Sequence, residues 1–384
     1  MHYLDQAATS SPKPDVVIDA VCEHLRTRNA NPGRSGHRLG AEAARSVFAT
    51  RTSLARLFGA TDPRQIIFTP NATAAINLAL RGHLVRRDHV VITSYEHNAV
   101  MRPLRALREE LELDVTIVPA DAAGVLDPQT FADAMTGRTR LVIVNHASNV
   151  TGTIAPLGEI RAAIGDATLL VDGAQTAGVL PIDLERERID LFAFTGHKGL
   201  LGPQGTGGLY IRAGLEIRPL VYGGTGSASE SDLQPFELPD RYEGGTLNAP
   251  GLAGLRAGIS HLNAIGLEEV RRHELALRRR LWDGLVSQPG VTLYGPSKET
   301  PALPVVAVNV VNMPPSELAY RLDREFGIMT RSGLHCSPQA HRTIGTFPEG
   351  CVRISAGIMN QDADIEAVIE AVSSLAKDTA SPDP

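Results

Sequence analysis

The most reactive arrangement in the sequence is a lysine among glycines, directly after a short apolar run. Leu191–Thr195 is followed by Gly196, His197, Lys198 and Gly199. Because glycine allows close backbone approach, the Lys198 amine can reach a carbonyl compound, and a lysine with a lowered pKa suits Schiff-base chemistry. A solvated lysine in a glycine-rich turn has the same appearance, so Lys198 needs partners before it indicates catalysis.

A second feature is the turn Thr69-Pro-Asn71-Ala72-Thr73, which leads from an apolar run into a predicted helix. Backbone N–H groups at a helix start, together with the Thr73 hydroxyl, suit a phosphate group. Asn71 or Thr73 as a simple helix cap is the alternative interpretation. The turn is therefore a candidate phosphate site that depends on the rest of the pattern.

Three further apolar runs also end in polar residues. His97 could stack on a flat ring, and Asn149 lies in a polar stretch that is hard to bury without a ligand. Asp172, followed by Gln175, could keep a pyridine nitrogen protonated and so make pyridoxal phosphate (PLP) an electron sink. Each residue is also common at strand ends without function. Ligands of open α/β sheets bind at the carboxyl ends of strands. The occurrence of all these polar residues after successive predicted strands therefore predicts that they form one site.

Cys336 lies in a loop with Arg331 and His335, marked as a loop by its glycine and proline residues. Both neighbours could lower the pKa of the thiol and increase its thiolate fraction. An inert buried cysteine is the alternative, and Cys22 on a helix face is such a case. Arg353 faces away from Val352 and Ile354 in the next strand, where it could bind a substrate carboxylate or form a structural ion pair.

The apolar runs that position these residues do not alternate with polar residues. Such strands are buried on both faces, as in a mostly parallel sheet, and helical segments lie between them. The predicted strands are Gln65–Thr69, His89–Ser94, Asp114–Val118, Arg140–Val144, Thr168–Val171, Leu191–Thr195 and Gly208–Ile211, and the predicted helices are Ala72–Leu84, Ala99–Leu111 and Pro128–Met135.

The pattern changes after residue 250 to that of a smaller α+β unit. Its predicted elements are a helix Leu267–Leu285, a strand Val305–Val310, a helix Ser316–Phe326, a strand Gly350–Ser355 and a helix Asp362–Leu375. We expect a large α/β domain over 15–250 and a small domain made of 1–14 and 251–384 that carries the Cys336 loop.

Composition excludes several classes of protein. The formal net charge is −6 without blocks of like charge, which argues against nucleic-acid or anionic-membrane partners. No apolar run approaches the roughly 20 residues that span a bilayer, and the N-terminus does not resemble a signal peptide. Three cysteines without paired spacing argue against disulfides and structural zinc. We expect a cytoplasmic protein without a metal site.

Taken together, these motifs resemble those of class V aminotransferase-type PLP enzymes, and within them the cysteine desulfurase and selenocysteine lyase family. The matching segments are Tyr3–Thr9, Asn31–His37, Asn71–Thr73, Glu96–His97, Ser148–Gly152, Asp172–Gln175, Thr195–Lys198, Gly244–Asn248 and Arg331–Cys336. The resemblance implies PLP fold type I, which is aspartate aminotransferase-like, with a large mostly parallel seven-stranded sheet and a smaller C-terminal α+β domain.

The resemblance also implies roles for individual residues. It makes Lys198 the Schiff-base lysine, Asp172 the partner of the pyridinium nitrogen, His97 the stacking residue and an acid for reprotonation, and Cys336 the persulfide-forming cysteine. The remaining cofactor-binding residues that it implies are Ala72, Thr73, Asn149, Gln175, Thr195, His197 and Thr246, and the substrate-binding residues are Asn149, Arg331, Arg353 and His37. Thr246 would reach the phosphate of the neighbouring subunit, which implies a homodimer.

The implied reaction is desulfuration of L-cysteine to L-alanine, with the Cys336 persulfide passed to a sulfur-acceptor protein, as in iron–sulfur cluster assembly. A PLP-dependent C–S β-lyase, or a selenocysteine lyase, is the alternative. Ala72 stands where many relatives carry a hydroxyl, and Leu334 replaces a histidine common before His335-Cys336. A non-catalytic scaffold with this fold would be expected to lack Lys198 or Asp172, and both are present. A nicotinamide dehydrogenase would need a G-x-G-x-x-G turn, and the sequence has no such turn after the first predicted strand.

Overall fold

The computed structural model describes residues 1–33 and 36–380. Its strands are β1 (His2–Tyr3), β2 (Ile66–Thr69), β3 (His89–Thr93), β4 (Asp114–Val118), β5 (Thr139–Asn145), β6 (Thr168–Asp172), β7 (Leu191–Thr195), β8 (Gly207–Ile211), β9 (Val291–Tyr294), β10 (Val305–Val310), β11 (Ile328–Met329), β12 (Arg331–Gly333) and β13 (Cys351–Ser355). Its helices are α1 (Asp15–Thr27), α2 (Arg38–Leu57), α3 (Ala72–His83), α4 (Asn98–Leu111), α5 (Pro128–Ala134), α6 (Leu157–Ala163), α7 (Ala249–Ile265), α8 (Leu267–Leu285), α9 (Pro315–Phe326), α10 (Pro338–Thr343) and α11 (Asp362–Ala380).

The large sheet has seven strands in the order β2-β8-β7-β6-β5-β3-β4. The five strands from β7 to β4 run parallel to one another, and β8 is antiparallel to both of its neighbours. This confirms the predicted α/β fold with a mostly parallel seven-stranded sheet. The seven predicted strands are all present, with ends that agree to within one residue.

Helices cover both faces of this sheet, which explains why its strands lack alternation. One face packs with α2 and α7, and Phe58 contacts Phe192 and Phe194 there at ring-centroid distances of 5.2 and 5.3 Å. The opposite face packs with α3 and α4. Strand β4 lies at the edge, and its Ile117 is exposed.

The small unit contains an antiparallel sheet of order β12-β13-β10-β9, packed with α8, α9 and α11. Strand β1 pairs with β11, so the first residues of the chain pack with this unit. Helix α7, however, packs on α1 and α2. The large unit therefore extends to about residue 265 rather than 250.

The sequence did not predict α7, because it contains three glycines, which disfavour helices. Two of them permit close packing. A Cβ on Gly254 would lie 2.6 Å from a Val21 methyl carbon, and one on Gly258 would lie 2.5 Å from the Leu200 carbonyl oxygen. Among the described residues, no helix combines the length and apolar character needed to cross a bilayer.

We predict that Gly207→Ala lowers the free energy of unfolding by about 1–3 kcal/mol, because the site is already filled. A Cβ there would lie 2.7 Å from the Phe194 carbonyl oxygen and 2.8 Å from the Asn71 Cα. Urea unfolding of the cofactor-free protein would measure the change. Gly158→Ala in α6 is the matched control, because nothing lies within 4 Å of its new methyl group. Equal midpoints for the two variants would contradict this packing argument.

Candidate active site

The carboxyl ends of the central strands open into a cavity of about 290 Å³. Strand ends from the large sheet, the N-terminal segment and the Arg331 and Arg353 side chains of the small unit meet there. The lining residues are Ala7, Ala8, Asn71, Ala72, Thr73, His97, Ala99, Asn145, Asn149, Asp172, Ala174, Gln175, Thr195, His197, Lys198, Arg331, His335 and Arg353. Most of the predicted site residues are thus gathered in one place, although they are far apart in the sequence.

Lys198 follows β7 and reaches into this cavity. Burial lowers the pKa of its amine to about 8, and the positive charges of Arg353 and Arg331 act in the same direction. The Asp172 carboxylate opposes them. About a tenth of the amine is therefore uncharged at pH 7, far more than for an ordinary lysine, and the uncharged amine is the form that attacks a carbonyl carbon.

Asp172 ends β6 and is paired in register with Asn145 of β5. Its Oδ1 accepts a hydrogen bond of 3.0 Å from the Ala174 N–H group. Burial raises the pKa of this carboxyl group, while the Ala174 N–H and the Lys198 charge lower it. A carboxylate held at this depth is suited to pairing with a protonated ring nitrogen.

Glu96 is a buried carboxyl group whose importance the sequence reasoning missed. Its Oε1 accepts hydrogen bonds from the Thr93 hydroxyl at 2.7 Å and from the Asn145 N–H group at 2.9 Å. Burial raises the pKa of Glu96 to about 8, and the nearby charge of Asp172 also raises it. Glu96 is therefore largely protonated at neutral pH and adds little negative charge beside Asp172. Its position next to His97 was the available signal.

His97 caps α4, and its Nδ1 accepts a 3.0 Å hydrogen bond from the Ala99 N–H group. The remaining proton of the neutral ring therefore lies on Nε2. Burial lowers the pKa of His97 to about 4, and the Lys198 charge lowers it further. A neutral ring suits stacking. The role of His97 as an acid for reprotonation stays a prediction, and an imidazole that is uncharged at neutral pH favours it less than it favours stacking.

The predicted phosphate-binding residues lie together on one side of the cavity. Ala72 and Thr73 begin α3, and the Asn71 side chain caps it by accepting from the Ala74 N–H group at 2.9 Å. Within the described part of the chain, the buried Thr195 Oγ1 and His197 Nδ1 have no hydrogen-bond partner. Buried polar atoms without partners are costly, so these groups fit an anion such as the PLP phosphate.

Arg353 projects from β13 into the cavity. Its Nη2 donates to Asp5 Oδ1 at 2.6 Å, and its Nη1 donates to the Asn149 carbonyl oxygen at 3.0 Å. Arg353 thus forms the structural ion pair of one interpretation, and it also lines the cavity, where its guanidinium could bind a substrate carboxylate.

Two predicted polar contacts are directed elsewhere than expected. The Gln175 Nε2 donates to the Ala7 carbonyl oxygen at 3.1 Å. Both ends of the Asn149 amide contact the cysteine loop, at the His335 carbonyl oxygen and the Ser337 hydroxyl. Both side chains still line the cavity, but these bonds engage their amide groups with protein atoms.

Cys336 is exposed and does not line the cavity. Its Sγ lies 3.7 Å from Arg331 Nη2. The expectation that His335 would also supply positive charge is wrong. Its Nε2 donates to the Arg331 carbonyl oxygen at 3.0 Å, and burial lowers the pKa of the ring to about 3, so it is neutral. Arg331 is the neighbour that places charge beside the thiol.

His37 and Thr246 lie outside the cavity within this single chain. His37 caps α2 by accepting from the Gly40 N–H group at 3.2 Å. Thr246 Oγ1 lies 3.5 Å from Asn31 Nδ2. The predicted motif Asn31–His37 also includes 34–35, which lie outside the described residues.

Comparison with known proteins agrees with this geometry. The family described as Aminotransferase class-V matches residues 2–368. A probable cysteine desulfurase of Methanothermobacter thermautotrophicus is 36% identical over 382 residues, which cover 97% of this chain and 94% of that protein. A cysteine desulfurase of Salmonella agona is 32% identical over 378 residues, which cover 96% of this chain and 91% of that protein. The apo structure of a cysteine desulfurase from Thermococcus onnurineus has a TM-score of 0.92 at 33% identity, covering 98% of this chain and 95% of that one.

We predict that Lys198→Met raises the free energy of unfolding of the cofactor-free protein by about 1–3 kcal/mol at pH 7. The folded-state pKa of Lys198 is about 8, below its ordinary value of 10.5. Between these values the unfolded chain binds more protons, so wild-type stability rises with pH. The advantage of Lys198→Met should therefore be largest below pH 8 and narrow towards pH 10.

Urea unfolding at pH 7 and pH 10 would measure this difference. Lys377→Met is the matched control, because Lys377 is exposed on α11 and its replacement should change stability little at either pH. If the stability difference between Lys198→Met and wild type were the same at both pH values, the charge of a buried Lys198 ammonium could not be its cause.

Proposed function

The chain belongs to the class V aminotransferase family, and we propose that it is a cysteine desulfurase that converts L-cysteine to L-alanine and leaves a persulfide on Cys336. The observation that carries the proposal is the joint placement of Lys198, Asp172 and Arg353 in one cavity, with an exposed thiol on a loop that contributes to its wall. Relatives named as cysteine desulfurases cover almost the whole chain, which supports the same reaction.

PLP is the cofactor of this family, and when bound it supplies an electron sink for negative charge on the substrate α-carbon. The residues of the cavity fit it. Lys198 would hold it covalently, Asp172 would face its ring nitrogen and His97 would stack on its ring. The helix start at Ala72 and Thr73, with Thr195 and His197, would hold the phosphate.

The protein side chains then divide the work on the substrate. Arg353 binds its carboxylate through the donors that Asp5 and Asn149 leave available, with Arg331 as a second cation in the cavity wall. Lys198, with its pKa near 8, removes the α-proton when uncharged and can return a proton to carbon when charged. We assign both transfers to Lys198, because the neutral His97 ring is a poor proton donor.

Sulfur transfer requires the Cys336 thiolate to attack the substrate sulfur. The new bond joins the two sulfur atoms, and the electron pair of the broken C–S bond stays with the carbon fragment. That fragment takes up a proton and leaves as alanine. Because Cys336 is exposed, the persulfide is accessible to a sulfur-acceptor protein, which we propose as the partner that removes it.

We predict that Cys336→Ala lowers the rate of alanine formation from L-cysteine on the order of 100-fold or more, while the cofactor absorbance remains that of the wild type. The reason is that the variant lacks the nucleophile but retains every residue of the cavity. Cys351→Ala is the control, because Cys351 is a buried cysteine outside the cavity lining.

The products decide between desulfuration and β-elimination. Quantified alanine, with sulfide released by a thiol reductant, supports the proposed reaction. Pyruvate and ammonia, formed equally by wild type and Cys336→Ala, would show a C–S lyase and overturn it.

We also propose a homodimer in which Thr246 completes the neighbouring site. Thr246 lies outside the cavity of its own chain and on its surface, where a second subunit can approach it. Thr246→Val should therefore weaken PLP binding by about tenfold, as expected for the loss of one hydrogen bond to a charged group.

A mixed dimer tests the sharing directly. Combining Lys198→Ala subunits with Thr246→Val subunits places both defects in one site and leaves the other site intact. Each mixed dimer should have about half the activity of a wild-type dimer, so an equimolar mixture that re-associates at random should reach about a quarter of wild-type activity. No gain over the parent variants, in dimers shown to be mixed, would mean that Thr246 serves its own subunit or neither.

A further inference from the structure

The loop that carries Cys336 has an unusual backbone. His335 and Cys336 are consecutive non-glycine residues in the left-handed region, with φ of 49° and 59°. Residues with a Cβ disfavour this region, and such conformations persist only where surrounding contacts enforce them. Contacts on either side of Cys336 must therefore hold the loop.

Asn149 provides the contacts on one side. Its Nδ2 donates to the His335 carbonyl oxygen at 2.7 Å, and its Oδ1 accepts from the Ser337 hydroxyl at 2.7 Å. The Asn149 amide thus binds the residue before Cys336 and the residue after it. The Cys336 carbonyl oxygen itself accepts a 2.7 Å hydrogen bond from the Asn98 N–H group at the start of α4. Both Asn149 and Ser337 are buried, so these bonds are shielded from water.

A chain of hydrogen bonds supports the loop from behind. The His335 Nε2 donates to the Arg331 carbonyl oxygen, which leaves Nδ1 to accept from His341 Nε2 at 3.2 Å. The Thr346 hydroxyl then donates to His341 Nδ1 at 2.7 Å. His335, His341 and Cys351 each offer one possible metal-ligand atom within 4.8 Å of the others, but all four imidazole nitrogens already have hydrogen-bond partners.

We propose that Asn149 and Ser337 are positioning residues for sulfur transfer, forming a clamp that fixes the Cys336 thiol at the edge of the cavity. The inference rests on the proposed desulfurase function. It assigns the Asn149 side chain to the loop rather than to the cofactor, because both ends of its amide are engaged there. The Asn149 carbonyl oxygen also accepts from Arg353, so one residue joins the carboxylate-binding side chain to the loop.

Ser337→Ala is the cleanest test, because Ser337 does not line the cavity. In the holoenzyme, we expect kcat for alanine formation to fall about tenfold, with KM for L-cysteine and cofactor absorbance unchanged. Amide hydrogen exchange across 334–337, measured by mass spectrometry, should speed up about tenfold. Ser332→Ala is the matched control in the adjacent strand β12. Within the part of the chain that the structure describes, its hydroxyl makes no hydrogen bond, and both readouts should match wild type.

A double-variant comparison separates a clamp from two independent structural effects. Asn149→Ala should raise loop exchange at least as much as Ser337→Ala. Adding Ser337→Ala to Asn149→Ala should then change exchange and kcat little further, because the serine has lost the group that it holds. If the effects of the two substitutions on kcat and on loop exchange multiplied fully in the double variant, the residues would act separately and the clamp would be overturned.

The two levels of the proposal fail differently. Wild-type enzyme that forms pyruvate instead of alanine would refute the desulfurase function, while loop exchange would still test the clamp. The clamp would be refuted, and the desulfurase function would stand, if the wild-type enzyme formed alanine but Ser337→Ala had the same loop exchange and kcat as Ser332→Ala.

Discussion

The site depends on keeping ionisable groups in a buried cavity where water does not stabilise their charges. Desolvation is the first cause of the shifted pKa values of Lys198, Asp172, Glu96 and His97. It favours the neutral form of each group, so the charge that persists depends on neighbours. The charges of Asp172 and Lys198 stabilise each other, whereas Glu96 and His97 are largely neutral. The chemistry follows from this unequal distribution of charge.

The parallel sheet allows such groups to be assembled. Strands β5, β6 and β7 end side by side, with Asn145 opposite Asp172 and Asp172 opposite Ala193. Residues following adjacent parallel strands therefore enter one space, although they are widely separated in sequence. The small unit completes the wall with Arg331 and Arg353, and the Asp5–Arg353 ion pair ties the N-terminal segment to it. Packing of the two units thus determines where the Arg331 and Arg353 side chains lie in the cavity wall.

Much of this organisation was predictable from sequence, because it depends on local pattern. Unbroken Val, Ile and Leu runs marked the strands, and the polar residues after them marked the cavity. Helix α7 escaped prediction, since its glycines serve packing against α1 and the turn near Leu200 rather than helix propensity. The protonation of Glu96, the neutrality of His335 and the engagement of Asn149 with the loop also escaped. These properties arise from burial and from partners distant in the chain, which no local pattern encodes.

The exposed position of Cys336 fits the two demands that the proposed reaction would place on its sulfur atom. It must meet a substrate sulfur bound in the cavity and afterwards meet a sulfur acceptor outside it. A fully buried thiol such as Cys351, whose pKa burial raises to about 12, could neither ionise readily nor meet a protein partner. A thiol on a freely moving loop would spend little time near the substrate. A short loop in a constrained backbone, held at both flanks by a residue of the cavity wall, satisfies both demands.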